Sequence, residues 1–202
     1  MKKIVLFLAI LFSFATYEVR AEDWTDLQHE VSFSYGGFPV FDMLDYYENH
    51  FNPVEGSVDF YDDKGKFGSF NISYLFFPDE NWGIGLVYSY NNSDKRILNN
   101  LLPVGDFNNS FHTIAPSFKY NWYNYDFITL YSRVNLGVTI ATSKASFFNE
   151  TEHQAEEKTK VTPFFMYQVS PIGIELGRQF AGFVEVGIGH MGVAMAGLRY
   201  RL

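Results

Sequence analysis

The sequence predicts an all-β fold, an eight-stranded antiparallel up-and-down transmembrane β-barrel, from three observations. Apolar residues recur at every second position over eight stretches, which is the period of a β-strand. Aromatic residues make up 19% of the 202 residues, yet beyond residue 21 no stretch approaches the roughly 20 apolar residues that a membrane-spanning helix needs. Short and long links between strands alternate, as in even-stranded barrels that cross a membrane.

The first 21 residues are typical of a secretory signal peptide. Lys2 and Lys3 precede an apolar stretch over residues 4–15, and a small-residue cleavage site ends at Ala21. Residues 22–202 are then expected to form one domain. The chain has no cysteine, so neither disulfides nor a lipid attached to cysteine are expected.

The chain is acidic, with a formal net charge of -8. Cleavage after Ala21 would remove three basic residues and one acidic residue and make that charge more negative. Strong acidity argues against nucleic acid as a partner.

The strands follow one another with a consistent division between two faces. One face carries aliphatic and aromatic residues, such as Ile84, Leu86 and Tyr88 in the third strand, and the other carries Gly, Ser, Thr, Asn and a few charged residues. A bulge at Ser170-Pro171 is expected to shift the faces of the sixth strand, because proline inside a strand is found at edges or bulges. The predicted strands are 29–36, 67–77, 82–90, 113–122, 127–141, 161–176, 180–189 and 193–202.

The links determine the orientation. Tight turns follow the second, fourth and sixth strands, and residues 37–66, 91–111 and 143–160 are predicted to be long polar loops. The last link, around His190, is predicted to be a short surface hairpin in which Gly192 allows the sharp turn. Aromatic residues cluster beside the tight turns, as at a bilayer interface. These are Trp82, Tyr120, Trp122, Tyr123, Tyr125 and Phe180. A soluble lipocalin-like barrel, with the apolar face inside, is the alternative that periodicity alone leaves open.

The closing stretch, SPIGIELGRQFAGFVEVGIGHMGVAMAGLRYRL, resembles the C-terminal third of small outer-membrane β-barrel-domain proteins of Bacteroides-like bacteria, distant relatives of the OmpA and OmpX barrels. Gly197 and Tyr200 match the assembly signal of that family, whereas Leu202 stands where the family usually has an aromatic residue. The resemblance implies an outer-membrane location with periplasmic termini and long loops at the cell surface. It also implies contact with membrane lipid, lipopolysaccharide and the barrel-assembly machinery.

Seven charged residues fall on the inward face of the predicted barrel. Because eight strands enclose a space that side chains can fill, a structural ion-pair network is expected rather than a charge-lined, porin-like channel. The seven are Glu30, Lys119, Arg133, Glu175, Glu185, Arg199 and Arg201.

The best enzymatic candidate is the pair Ser110 and His112, which share a strand face, with Asp106 as a possible third member. Outer-membrane lipid A deacylases resemble this chain in size, but their pair runs His-x-Ser and the order here is reversed. We therefore expect no catalytic residues, with a lipid A hydrolase as the alternative.

No cofactor or metal site is expected either. The G-x-G-x-x-G pattern over residues 187–192 lacks the following helix and acidic residue that dinucleotide binding requires. Acidic residues in the loops match no calcium-loop spacing, and residues 40–51 are spaced like a short amphipathic helix. The sequence thus favours a structural or surface-interaction role, and it names no extracellular partner.

Overall fold

The computed structural model describes residues 29–40, 59–61, 68–99, 102–147 and 157–202. These residues form nine antiparallel strands of very unequal length. The four strands β4–β7 have 18 to 24 residues each, whereas the others have 11 or fewer. The strands are β1 His29–Gly37, β2 Asp59–Tyr61, β3 Ser69–Asp79, β4 Trp82–Asn99, β5 Leu102–Tyr125, β6 Ile128–Phe147, β7 Glu157–Gly177, β8 Phe180–Gly189 and β9 Ala194–Arg201.

Eight of these strands close into a barrel, which confirms the predicted architecture. β1 pairs with β3 on one side and with β9 on the other, and β4 pairs with both β3 and β5. At the seam, the backbone N–H of Leu202 donates to the carbonyl of His29 over 2.7 Å. The three-residue strand β2, which the sequence did not predict, pairs only with β4 and stands outside the ring.

The strands are staggered around the barrel. A path perpendicular to the strands leaves β8 at Gly189 and returns ten residues earlier in the chain at Gln179, directly before β8. Such a stagger requires the strands to tilt, and it fixes the width of an eight-stranded interior. The path runs through Gln168, Asn135, Ser117, Gly85, Leu75, Glu30 and Arg201.

The outer surface is apolar, as predicted, and polar side chains point inward. Every second residue is buried from Phe111 to Asn121 in β5 and from Tyr131 to Ala141 in β6, and the residues between them are exposed, apart from half-buried Ser132. An apolar exterior over a polar interior suits hydrocarbon and not water, so the barrel is of the transmembrane type. Within the described residues, no helix has the length and apolarity needed to cross a membrane. Exposed side chains include Phe33, Ile72, Leu86, Ile114, Leu136, Val138, Ile174, Val184 and Leu198.

The predicted bulge in β7 is confirmed. Gln168 and Ser170 are buried, but beyond Pro171 the buried positions become Gly173 and Glu175. The register shifts at this point against both neighbouring strands. One extra residue therefore keeps Glu175 inside the barrel, because a one-residue shift exchanges the two faces of a strand.

We call the end of the barrel that carries Leu202 the turn end. The three two-residue turns at 80–81, 126–127 and 178–179 lie there. The six aromatic residues predicted beside these turns are all exposed. A second bulge, between Asn121 and Tyr123, turns both Trp122 and Tyr123 outward and so widens this aromatic belt.

At the opposite, loop end, the predicted loops are wrong in extent. Residues 91–99 belong to β4 and residues 102–111 to β5, the two strands pair as far as Asn99 and Leu102, and β6 and β7 leave only 148–156 between them. On the turn-end side of Tyr90 and His112, one face of β4 and β5 meets lipid and the other faces the interior, so polar and apolar residues alternate. Beyond them, from Asn92 and Ser110, outward side chains become polar as well, so the period of two disappears while the backbone pairing continues.

The last link is also not a surface hairpin. His190 and Met191 are both buried, because the β8–β9 turn bends into the barrel. Gly189 and Gly192 have φ of 147° and 119°, a region that favours glycine. Of the predicted helix over 40–51, only Val40 lies within the described residues.

Candidate functional site

The charged interior is built from inward positions on six strands, β1 and β5–β9. The structure places all seven predicted charged residues there, each buried. It divides them into two groups: a five-membered cluster near the turn end and a separate pair. The cluster consists of Glu30, Lys119, Glu175, Arg199 and Arg201.

Two carboxylates hold the cluster together. Glu30 accepts from Lys119 Nζ at 2.8 Å and from Arg201 Nε at 3.1 Å. Glu175 accepts from Lys119, from Arg199 Nε at 2.9 Å and from Arg201 Nη2 at 3.3 Å. Since these residues come from β1, β5, β7 and β9, their hydrogen bonds tie opposite walls of the barrel together.

The cluster holds three cations and two carboxylates, and the backbone compensates for part of the difference. Arg199 Nη1 donates to the carbonyl of Arg178 at 2.5 Å and to that of Gln179 at 3.3 Å. Lys119 Nζ also lies 4.5 Å from the centre of the Tyr131 ring. Carbonyl dipoles and ring faces both stabilise cations in a site that excludes water.

The separate pair is Arg133 and Glu185, in which Nη1 and Oε2 are 3.6 Å apart. The hydroxyl of Tyr131 donates to the same carboxylate oxygen at 2.8 Å. The Tyr131 ring fills the space beside Gly173, where an added Cβ would lie 2.2 Å from the ring. Glycine on β7 is thus what allows tyrosine to reach Glu185.

An apolar layer crosses the interior closer to the loop end. Met191, carried inward by the β8–β9 turn, packs with Val87 and Met195. The side chain of Gln168 holds the turn: Oε1 accepts from the Met191 N–H at 2.9 Å, and Nε2 donates to the carbonyl of Gly192 at 3.1 Å. In the sequence, Gly189 and Gly192 on either side of His190-Met191 indicate a sharp turn at this point. They do not indicate that the turn bends into the barrel, and the prediction of a surface hairpin was wrong.

Several buried polar atoms in the described interior have no hydrogen-bond partner. They include Nε of Arg133, Oε1 of Glu185, Oδ1 of Asn135 and both ring nitrogens of His190. Buried polar groups of this kind are normally satisfied by water. Burial also lowers the pKa of His190, which lies in the turn between strands, to about 4.

Ser110 and His112 share an outward face but do not bond to each other among the hydrogen bonds of the described residues. Ser110 donates to Asn92 Oδ1 at 3.1 Å, and His112 Nδ1 lies 2.8 Å from the hydroxyl of Tyr88. Asp106, the possible third member, lies on the same strand beyond Ser110. The arrangement lacks the base-to-hydroxyl contact that activates a serine nucleophile.

The three predicted assembly residues lie on or just beyond β9. Gly197 faces the interior, where an added Cβ would lie 2.4 Å from the carbonyl of Phe33 and 2.6 Å from the ring of Phe183. Tyr200 accepts from Gln179 Nε2 at 3.2 Å, and Leu202 is exposed at the barrel edge. Packing alone therefore requires glycine at 197, and the assembly signal stays a prediction.

The described residues contain no group of three or more His, Asp or Glu side chains that could hold a metal ion. The acidic residues predicted to line the first and third loops lie outside the described residues, apart from Asp59 and Glu157 in strands β2 and β7.

No family model and no curated protein matches this chain. Among solved structures it is similar to Ail, the attachment invasion locus protein of Yersinia pestis, in complex with the heparin analogue sucrose octasulfate. That alignment has 12% identity, covers 87% of this chain and 97% of Ail, and has a TM-score of 0.47. Ail in a phospholipid bilayer nanodisc aligns at 17% identity over 88% of this chain and 100% of Ail, with a TM-score of 0.38. The outer-membrane protein AlkL in lipid bilayers aligns at 12% identity over 93% of this chain and 92% of AlkL, with a TM-score of 0.31.

Proposed function

We propose that this chain is an outer-membrane barrel with a sealed interior, whose role is structural or lies in interactions at the cell surface. The observation that carries the proposal is the pair of barriers across the lumen. The cluster around Lys119 and Glu175 bridges opposite walls near the turn end, and the Met191 layer crosses the interior nearer the loop end. A conducting pore needs an open polar path, and a space filled by paired charges at one end and an apolar cluster nearer the other supports a closed lumen.

The location and orientation follow from the same chemistry. An exported barrel with a lipid-facing exterior belongs in the bacterial outer membrane, where turns face the periplasm and loops face the surface. We propose that the turn end is periplasmic and that outer-membrane lipid and lipopolysaccharide surround the barrel. The eight strands and the Gly197 to Leu202 ending also support kinship with OmpA-like and OmpX-like barrels and assembly by their machinery.

A gel experiment tests the membrane-barrel part of this proposal. Residues 22–202 would be refolded in detergent and run in SDS with and without boiling. We expect the unboiled protein to resist SDS and to migrate differently from the boiled protein. Equal mobility, with solubility in the absence of detergent, would overturn the assignment to a membrane.

Ion conductance across planar bilayers tests whether the lumen is closed. Protein shown to be folded on the gel would be added to planar bilayers at neutral pH, with the boiled sample as the control. We expect no channel events above those of the control. Stepwise currents from the folded sample alone would replace the sealed barrel with the narrow-channel alternative.

We also propose that the chain is not a lipid A hydrolase, because Ser110 bonds to Asn92 and not to His112. The test compares lipid A mass spectra from cells that produce the wild-type chain, the Ser110→Ala variant or neither. Identical spectra are expected. Loss of an acyl chain with the wild type, but not with Ser110→Ala, would establish the hydrolase.

A further inference from the structure

The β8–β9 turn lies inside the barrel but is not part of the strand pairing that closes it. It bends inward at Gly189 and Gly192, both in backbone conformations that favour glycine, while β8 and β9 on either side keep their regular pairing. The neighbouring strand β1 leaves room for it: an added Cβ at Gly36, which pairs with Met195, would lie 1.7 Å from the carbonyl of Met191. The bend is thus confined to the residues between the two glycines, and the pairing of β8 with β9 does not depend on it.

Few bonds hold the turn in this position. The side chain of Gln168 makes two hydrogen bonds to it, to Met191 and to Gly192, and Asn135 Nδ2 lies 3.0 Å from the sulfur of Met191. The backbone adds bonds from His190 N–H to the Tyr167 carbonyl and from Val193 N–H to the Gly37 carbonyl. Gln168 is therefore the main side-chain latch.

His190 is the residue that would destabilise the inward position of the turn if its side chain became charged. Its side chain is fully buried, and neither ring nitrogen has a partner. A neutral imidazole tolerates this buried position, but an imidazolium buried without a charged partner is far more costly. The turn can relieve that cost only by carrying His190 out to water.

We propose that the β8–β9 turn is a displaceable plug, latched by Gln168, which leaves the lumen when His190 is protonated. The proposal rests on the sealed interior proposed above and adds a controlled opening at the loop end. Displacement would expose Val87, Met195 and the unpartnered groups of the central interior to external solvent. The cluster around Lys119 would still close the turn end, so the plug gives access to a chamber and not a through-pore.

Other charged groups do not account for this behaviour. The strands around the turn carry Glu30, Arg133, Glu175, Glu185, Arg199 and Arg201 on their inward faces. Burial is the sole cause of the lowered His190 pKa, with no contribution from any of these charges. Since an exposed histidine has a pKa near 6.5, the opening equilibrium constant rises as the pH falls from about 6.5 towards 4, and at pH 4 it is roughly a hundredfold larger than at neutral pH.

The test uses the methionine methyl groups as reporters. The refolded chain, labelled with 13C at methionine methyls, would be placed in nanodiscs with a water-soluble gadolinium chelate at pH 7.5 and pH 4. We expect the Met191 and Met195 signals to be protected at pH 7.5 and strongly broadened at pH 4. In His190→Gln, which keeps every carboxylate but cannot be charged, both signals should stay protected at pH 4.

Further variants separate the possible results. Gln168→Leu removes the latch and should broaden both signals already at pH 7.5, while the gel assay confirms folding. Equal broadening at pH 4 in wild type and His190→Gln would overturn the proposal, and so would protection in both. Channel events at neutral pH would instead refute the sealed barrel, and this second assay keeps the two failures distinguishable.

Discussion

Lys119 Nζ lies 2.8 Å from Glu30 Oε1, although 89 positions separate the two residues in the chain. Lys119 is on β5 and Glu30 is on β1, and these strands are not neighbours in the barrel. The contact therefore crosses the lumen. Burying such a network gives little net stability, but removing one member takes a hydrogen bond from each buried charge that it contacts.

Lys119→Met should therefore destabilise the barrel by about 3 kcal/mol, because Glu30 and Glu175 both lose a buried donor. Urea unfolding in lipid vesicles measures the change. The matched control is Arg178→Ala, which removes an exposed ion pair with Asp126 at the turn end. That change should cost less than about 1 kcal/mol. Equal losses in the two variants would mean that the buried cluster contributes no more than a surface pair.

Gly173 provides a test of packing in the separate charged pair. Gly173→Ala would place a methyl group in the space that the Tyr131 ring occupies, and displacement of the ring would weaken the bond to Glu185. Overpacking of this kind costs about 1–3 kcal/mol. Gly182→Ala is the control, since its nearest neighbour would lie 4.0 Å away. The urea midpoint of unfolding should fall for Gly173→Ala and stay near the wild-type value for Gly182→Ala. An unchanged midpoint for Gly173→Ala would contradict the tight contact between position 173 and the Tyr131 ring.

The strand pairings show how much the sequence could predict. Alternation identified every barrel strand where lipid lies on one side, and it placed Glu30, Lys119 and Arg201 inside. It failed from Asn92 to Ser110, where the outward side chains are polar and apolar Phe107 lies on the inward face, so the apolar-outward pattern stops although the pairing of β4 with β5 continues. The polarity of a side chain depends on whether it faces lipid, water or the interior, whereas strand pairing depends on backbone hydrogen bonds, so a strand can continue where the alternation stops.

The same limit applies to the interior. Periodicity can assign a residue to the inward face, but the partner of each charge depends on the stagger of strands across the lumen. The separation of Arg133 and Glu185 from the larger cluster follows from that stagger. The inward bend at His190 was missed for a different reason: glycines at Gly189 and Gly192 permit either direction of turning, and Gln168, far off in sequence, supplies the bonds that choose one.

The bulge at Pro171 offers a test of register. Deletion of Pro171 would leave β7 without its extra residue, so Glu175 would turn toward lipid and Leu176 toward the interior if the rest of the strand kept its pairing. A carboxylate in contact with hydrocarbon is strongly unfavourable. We expect the deletion variant to show no heat-dependent shift on an SDS gel. Pro171→Ala keeps the residue count, and the backbone carbonyl that accepts from Ser132 Oγ, and should fold. A deletion variant that folds normally would show that the bulge does not set the register.

The C-terminal residues can separate assembly in cells from stability. Leu202 is exposed at the edge of the barrel, and its backbone makes the seam with His29, so Leu202→Ala keeps those backbone bonds and should refold in detergent like the wild type. If the end of β9 is also read by the barrel-assembly machinery, the same variant should reach the outer membrane of cells in reduced amounts. Leu202→Phe, which restores the aromatic residue of the related family, should reach it at least as well as the wild type. Membrane fractionation with the SDS gel measures the folded amount in each strain. Equal folded amounts of Leu202→Ala and wild type in cells would show that Leu202 carries no assembly signal, while a refolding defect in detergent would assign its effect to the barrel itself.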